Sequence, residues 1–121
     1  MTLLLAAAAF LAHHSFAADF DTTRRVTLTG RVTKIEWMNP HVHAYIDVKD
    51  ERGMVTNWTL EMGSPNGLKE KGWTRKSLKV GDLVTIDGSR AKDGSNIANV
   101  RSIVLPSGAR LLAASSQGNT S

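Results

Sequence analysis

The stretch HVHAYIDVKDERGMVTNWTLEM, residues 41 to 62, restricts the fold more than any other part of the chain. Side chains alternate faces along a strand, so period-two patterns identify buried and exposed sides. Val42, Ala44, Ile46 and Val48 form one apolar face, with His41, His43, Tyr45 and Asp47 on the other. In the second run Met54, Trp58, Leu60 and Met62 share the apolar parity, with Thr56 among them. A three-residue loop, Glu51-Arg52-Gly53, puts Gly53 at the left-handed position such loops favour. It pairs Asp50 with Met54 and keeps both apolar sets on one side. A two-residue loop would turn half of each set to water, which burial forbids. The predicted register therefore sets His43 opposite Glu61, Tyr45 opposite Thr59 and Asp47 opposite Asn57.

Upstream, residues 26–38 (VTLTGRVTKIEWM) also alternate, but the phase slips after Val32. A mid-strand Gly30 with a phase slip reads as a strongly bent strand carrying a bulge. Asn39 and Pro40 end it. Downstream, Ser64 is suited to cap a short helix, with Pro65 in its first turn and Gly72 at its end. LVTIDGSRA then reads as a fourth strand with Val84 and Ile86 inward. KDGSN is a hairpin turn, IANVRSIVL a fifth strand and RLLAA a short sixth. A three-strand meander, a short helix and a hairpin, begun by a bent strand, is the order of a small OB-like antiparallel barrel. The expected class is all-β with one short helix and five to six strands. A plain six-strand meander barrel or an SH3-like barrel is the alternative.

The 121 residues suffice for one domain. Residues 1–12, MTLLLAAAAFLA, are apolar and uncharged, too short to cross a bilayer, and fit the core of a secretory signal. This predicts a periplasmic or secreted protein that is not integral to a membrane, with a domain over 13–112 and a disordered tail over 113–121. Cleavage after Ala12 would make His13 the first residue. Cleavage after Ala9 is sterically cleaner, and cleavage after Ala17 would discard both His13 and His14. There is no cysteine, which excludes disulfides, thiolate metal sites and cysteine nucleophiles.

All four histidines fall in two clusters, His13 with His14 and His41 with His43. Residues two apart on a strand point the same way, about 7 Å apart, and two imidazoles so placed can share a metal. Glu61, opposite His43, is a third ligand or a partner orienting the ring. The bland reading is two solvent-facing histidines with a cross-strand acid. A chain starting at His13 would chelate Cu(II) through its amine and imidazole, and His41 or His43 would complete a nitrogen plane, so copper is the expected cofactor. Tyr45 and Asn57 share the exposed face of strands two and three with Glu61, as partners of the histidine site or as part of a ligand face. LKEKGWTRKSLK holds five cations around Trp73. It reads as a solvated helix and loop with Trp73 under the barrel, more than as a nucleic-acid surface. The net charge of +4 is a mild excess and nucleic acid is not the expected partner. No nucleophile elbow or phosphate loop is present, so an enzyme is not expected, oxidative copper chemistry being the one catalytic alternative.

The stretches AHHSFAADFD, VTLTGRVTKIEWMNPHV, TNWTLEMGSPNGL, GWTRKSLKVGDLVTIDG and AKDGSNIANVRSIVLPSGARL, taken together, resemble a family of short exported bacterial proteins classed as a domain of unknown function. The resemblance implies export and a mature chain beginning near His13. It implies no reaction. His13, His14 and His41 lie inside matching motifs, whereas His43 stands where an aromatic residue is common in the family, which favours a site built on the other three. The combined expectation is a small exported barrel that binds a metal or ligand without catalysis. The alternative is an interaction module for a protein or polymer, using the exposed face of strands two and three with no metal.

Overall fold

The hairpin at the centre of the chain has the register its alternation demands. In the computed structural model, which describes residues 19–115, β2 (His43–Lys49) pairs with β3 (Val55–Glu61) as His43 with Glu61, Tyr45 with Thr59 and Asp47 with Asn57. The Asp50 amide donates to the Met54 carbonyl, and Gly53 takes a φ of 82° at the turn. Ala44, Ile46, Trp58 and Leu60 face the core. Met54 does not: it is 65% exposed, because the barrel wall ends one residue after the turn.

The first strand is longer than its alternation suggested. β1 (Phe20–Glu36) pairs with β4 (Leu83–Ala91) along its first two thirds and with β2 along its last third. Gly30 and Arg31 belong to both ladders, so the strand bends where it passes from one neighbour to the other. A Cβ on Gly30 would lie 2.5 Å from the Asp47 carbonyl oxygen, so only glycine admits this close approach. The phase slip seen after Val32 is a bulge at Thr33, with a second irregularity between Asp21 and Arg25.

The short helix α1 (Pro65–Glu70) follows β3, its Gly67 amide donating to the Ser64 hydroxyl at the N-cap. β5 (Ile97–Val104) pairs antiparallel with β4 and parallel with β3, and β6 (Arg110–Leu112) lies on β5. The parallel β3–β5 contact closes the sheet order β3-β2-β1-β4-β5-β6 into a barrel and satisfies strand edges that would otherwise be open. Ile46, Leu60, Ile86, Val100 and Ile103 fill its interior. Each such side chain contributes about 1.5–3 kcal/mol on burial. Trp73 is buried with them, its indole N–H donating to the Leu112 carbonyl at 2.9 Å. Trp37 is half-buried against this core.

Residues 113–115, expected in the tail, pack onto the barrel. Ala113 is buried, its amide donating to the Arg101 carbonyl and its carbonyl accepting from the Gly63 amide. Among the described residues no helix is long and apolar enough to cross a membrane. Over the described residues the fold is an OB-like barrel of six strands with one helix.

Candidate functional site

β1 ends at Glu36 and β2 begins at His43, and β3 brings Glu61 beside them through the β2–β3 register. Three chemically active side chains meet at this end. His41 Nδ1 lies 3.6 Å and His43 Nε2 lies 3.5 Å from the same oxygen, Glu61 Oε1. Glu61 has outward strand parity, yet it is only 6% exposed. Its β5 partner is Asn99, also buried, whose Oδ1 accepts from the Ser115 hydroxyl at 2.9 Å. Glu61 is thus buried and not on an open face: β5 pairs alongside it, and both imidazoles approach its Oε1.

That geometry fixes the electrostatics. The His43 pKa is raised above 6.5, first by its hydrogen bond to Glu61, against an opposing desolvation and with help from the Glu61 and Glu36 charges and the His41 carbonyl. A half-buried imidazole would otherwise favour its neutral form. Here the buried carboxylate outweighs burial, because an opposite charge counts for more where water is excluded.

A second pair adjoins the first. The Tyr45 hydroxyl donates to Glu36 Oε1 at 2.6 Å, and Lys34 Nζ lies 5.5 Å from the Tyr45 ring centroid and 3.7 Å from Glu36. This bond lowers the Glu36 pKa and raises that of Tyr45. The bulge makes the arrangement: with Thr33 looped out, Glu36 pairs with His43 and stands diagonal to Tyr45. The Thr33 hydroxyl donates to the Tyr45 carbonyl. Asn57, expected on the ligand face, gives its amide to Asp47 Oδ1 at 2.8 Å and to the Ile46 carbonyl at 3.3 Å, so its polar end is occupied in holding the hairpin.

The structure thus brings together His41, His43 and Glu61, and separately Tyr45 and Glu36. Glu36 was not singled out from sequence, because its place opposite His43 depends on where the bulge falls. His13 and His14 lie outside the described residues. Among the described residues no group of three or more His, Cys, Asp or Glu is disposed to hold a metal ion. Two hollows, one along Lys49, Asp50, Glu51 and Arg52 and one beside Phe20 and Ile97, are not lined by these histidines.

Comparison with known structures supports the fold. The chain is similar to the mitochondrial single-stranded DNA-binding protein Rim1 from S. cerevisiae, with a TM-score of 0.51 and 14% identity over 73% of this chain and 95% of that one. It is also similar to part of TiaS from its complex with a transfer RNA and ATP, with a TM-score of 0.51 and 23% identity over 70% of this chain and 18% of that one. No curated protein matches the chain. A family model matches residues 2–100, and the chain belongs to that family, the family of unknown function DUF6152.

Proposed function

We propose that this is a small exported, non-catalytic binding protein whose ligand site lies at the β1–β2 end of the barrel. Its ligand is Cu(II), bound by His41 with His13, His14 and the free amine of a chain cut after Ala12. The observation that carries this reading is the convergence of His41 Nδ1 and His43 Nε2 on one oxygen of buried Glu61. Imidazoles held in place lose less freedom on binding than mobile ones, which favours a ligand. The described residues do not form a metal site by themselves, so the further donors come from the leading segment. Glu61 favours the protonated form of His43, whereas a metal takes neutral imidazole. His43 is therefore the ring that keeps Glu61 engaged.

The test is mass spectrometry of the exported protein followed by copper titration of that form, read by electron paramagnetic resonance. Nitrogen-ligated Cu(II) at micromolar concentration, weakened about tenfold or more by His41→Ala, is expected for a lost nitrogen ligand. A mature chain starting after His14, or a spectrum that copper leaves unchanged, overturns the reading.

A second reading, an interaction module using the β2–β3 face, draws on the Tyr45–Glu36 pair. It expects Tyr45→Ala to abolish partner binding while chelators have no effect. Nucleic acid suits this face poorly: Glu36, Asp47 and Glu61 accompany Lys34 there, and carboxylates repel phosphates.

A further inference from the structure

The segment after α1 makes two exposed turns pinned by buried anchors. Trp73 and Leu78 are buried, and between them Thr74–Ser77 form a turn in which the Thr74 amide donates to the Ser77 hydroxyl. Lys79–Asp82 form the next turn, in which Asp82 Oδ2 accepts from the Lys79 amide. Gly81, at a φ of 97°, donates to the Val32 carbonyl and ties this turn to β1. These anchors push Arg75, Lys76, Lys79 and Val80 into water.

The aliphatic side chains here are as telling as the charges. Val80 is 64% exposed and Leu83 is 49% exposed. Leu83 pairs with Arg31 across the β1–β4 ladder, and the Arg31 guanidinium donates to the Gly81 carbonyl at 2.9 Å. Two exposed aliphatic residues therefore stand beside Arg31 and Lys79, with Arg75, Lys76, Lys69 and Lys71 exposed on the same helix-and-turn segment. Among the described residues none of these six cations takes part in an ion pair. Glu70 is the one exposed acid in the segment, since Asp82 is turned onto its own loop.

We propose that this patch binds an anionic lipid surface, the cations meeting headgroup phosphates while Val80 and Leu83 enter the interface. Cations alone would suit any polyanion. The pairing of cations with protruding aliphatics is what an interfacial surface requires, because such binding adds buried apolar area to electrostatic attraction. A single-stranded nucleic acid would require exposed rings for stacking. The segment's aromatic, Trp73, is buried with its N–H bonded.

The experiment is co-sedimentation of the protein with vesicles of phosphatidylglycerol and phosphatidylcholine, against vesicles of phosphatidylcholine alone. All variants carry the same amino terminus, verified by mass spectrometry, so any pull from the apolar leading segment is common to them. The protein is expected to partition onto anionic vesicles and to be released by rising salt. The triple variant Arg75→Glu, Lys76→Glu, Lys79→Glu, which reverses three charges, is expected to lower that partitioning by more than about a hundredfold. Val80→Ser with Leu83→Ser, which leaves the charge unaltered, is expected to weaken it as well. All five positions are exposed, and an unchanged melting temperature verifies that the variants fold. Equal partitioning onto both vesicle types, retention of binding by either variant, or tighter binding to a single-stranded oligonucleotide than to anionic vesicles would overturn the proposal.

Discussion

At the scale of single residues, the decisive group is Glu61. It stands between His43 on the β2 ladder and Asn99 on the β5 ladder, and only 6% of it is exposed. Glu61→Gln keeps the shape and removes the charge. The His43 pKa is then expected to fall, since desolvation remains while its main opposing influence is gone; imidazole shifts in an NMR titration would measure this. The same raised pKa gives a pH dependence. A group that holds its proton more tightly when folded stabilises the fold in its charged form. His43 therefore contributes fully below its ordinary value of 6.5, and the contribution is lost as pH rises through its raised folded value. Denaturation midpoints measured from about pH 5.5 to about pH 8 should show this loss in the native protein and not in Glu61→Gln. His41, His43 and Glu61 could each be named from sequence, because alternation and turn length fixed the β2–β3 register. The burial of Glu61 could not, because it depends on β5, a strand distant in the chain.

At the scale of elements, β1 and the β4–β5 loop show how local chemistry sets geometry. Gly30→Ala would force a Cβ against the backbone of Asp47 at the point where β1 changes partners. Overpacking of this kind costs about 1–3 kcal/mol, and a urea midpoint shift would measure it. Arg90 binds the loop after β4: its guanidinium donates to the Gly94 carbonyl at 2.7 Å and to Asn96 Oδ1 at 2.9 Å, and stacks 4.9 Å from the Trp58 ring centroid. Arg90→Ala is expected to speed amide exchange across residues 92–96 while leaving β2 protected, since a loop that loses its cross-links opens locally before the barrel does. A bulge was legible in the slip from Val32 to Ile35. Its place at Thr33 was not, and with it went the pairing of Glu36 with His43 that creates the Tyr45–Glu36 contact.

At the scale of the whole molecule, stability rests on one core shared by all strands, with no disulfide to support it. Leu60 is fully buried beside the β3–β5 closure. Leu60→Ala should cost about 2–5 kcal/mol, a large share of the stability of a domain this size, and should appear as a sharply lowered melting temperature by circular dichroism. Reductant should leave the melting temperature of the native protein unaltered.

The strands, their turns, the β2–β3 register and the OB-like order follow from the sequence itself, because side-chain alternation and glycine or proline at turns act over a few residues. The sequence also placed His41 and His43 on one outward face. Tertiary structure alone decided what lies across from a residue when the partner is distant in the chain. It set Glu61 beside β5 and buried it, exposed Val80 and Leu83 beside Arg31, and carried the packed chain on to Ser115. Burial belongs to the closed barrel, and no local pattern encodes which edge will close on which.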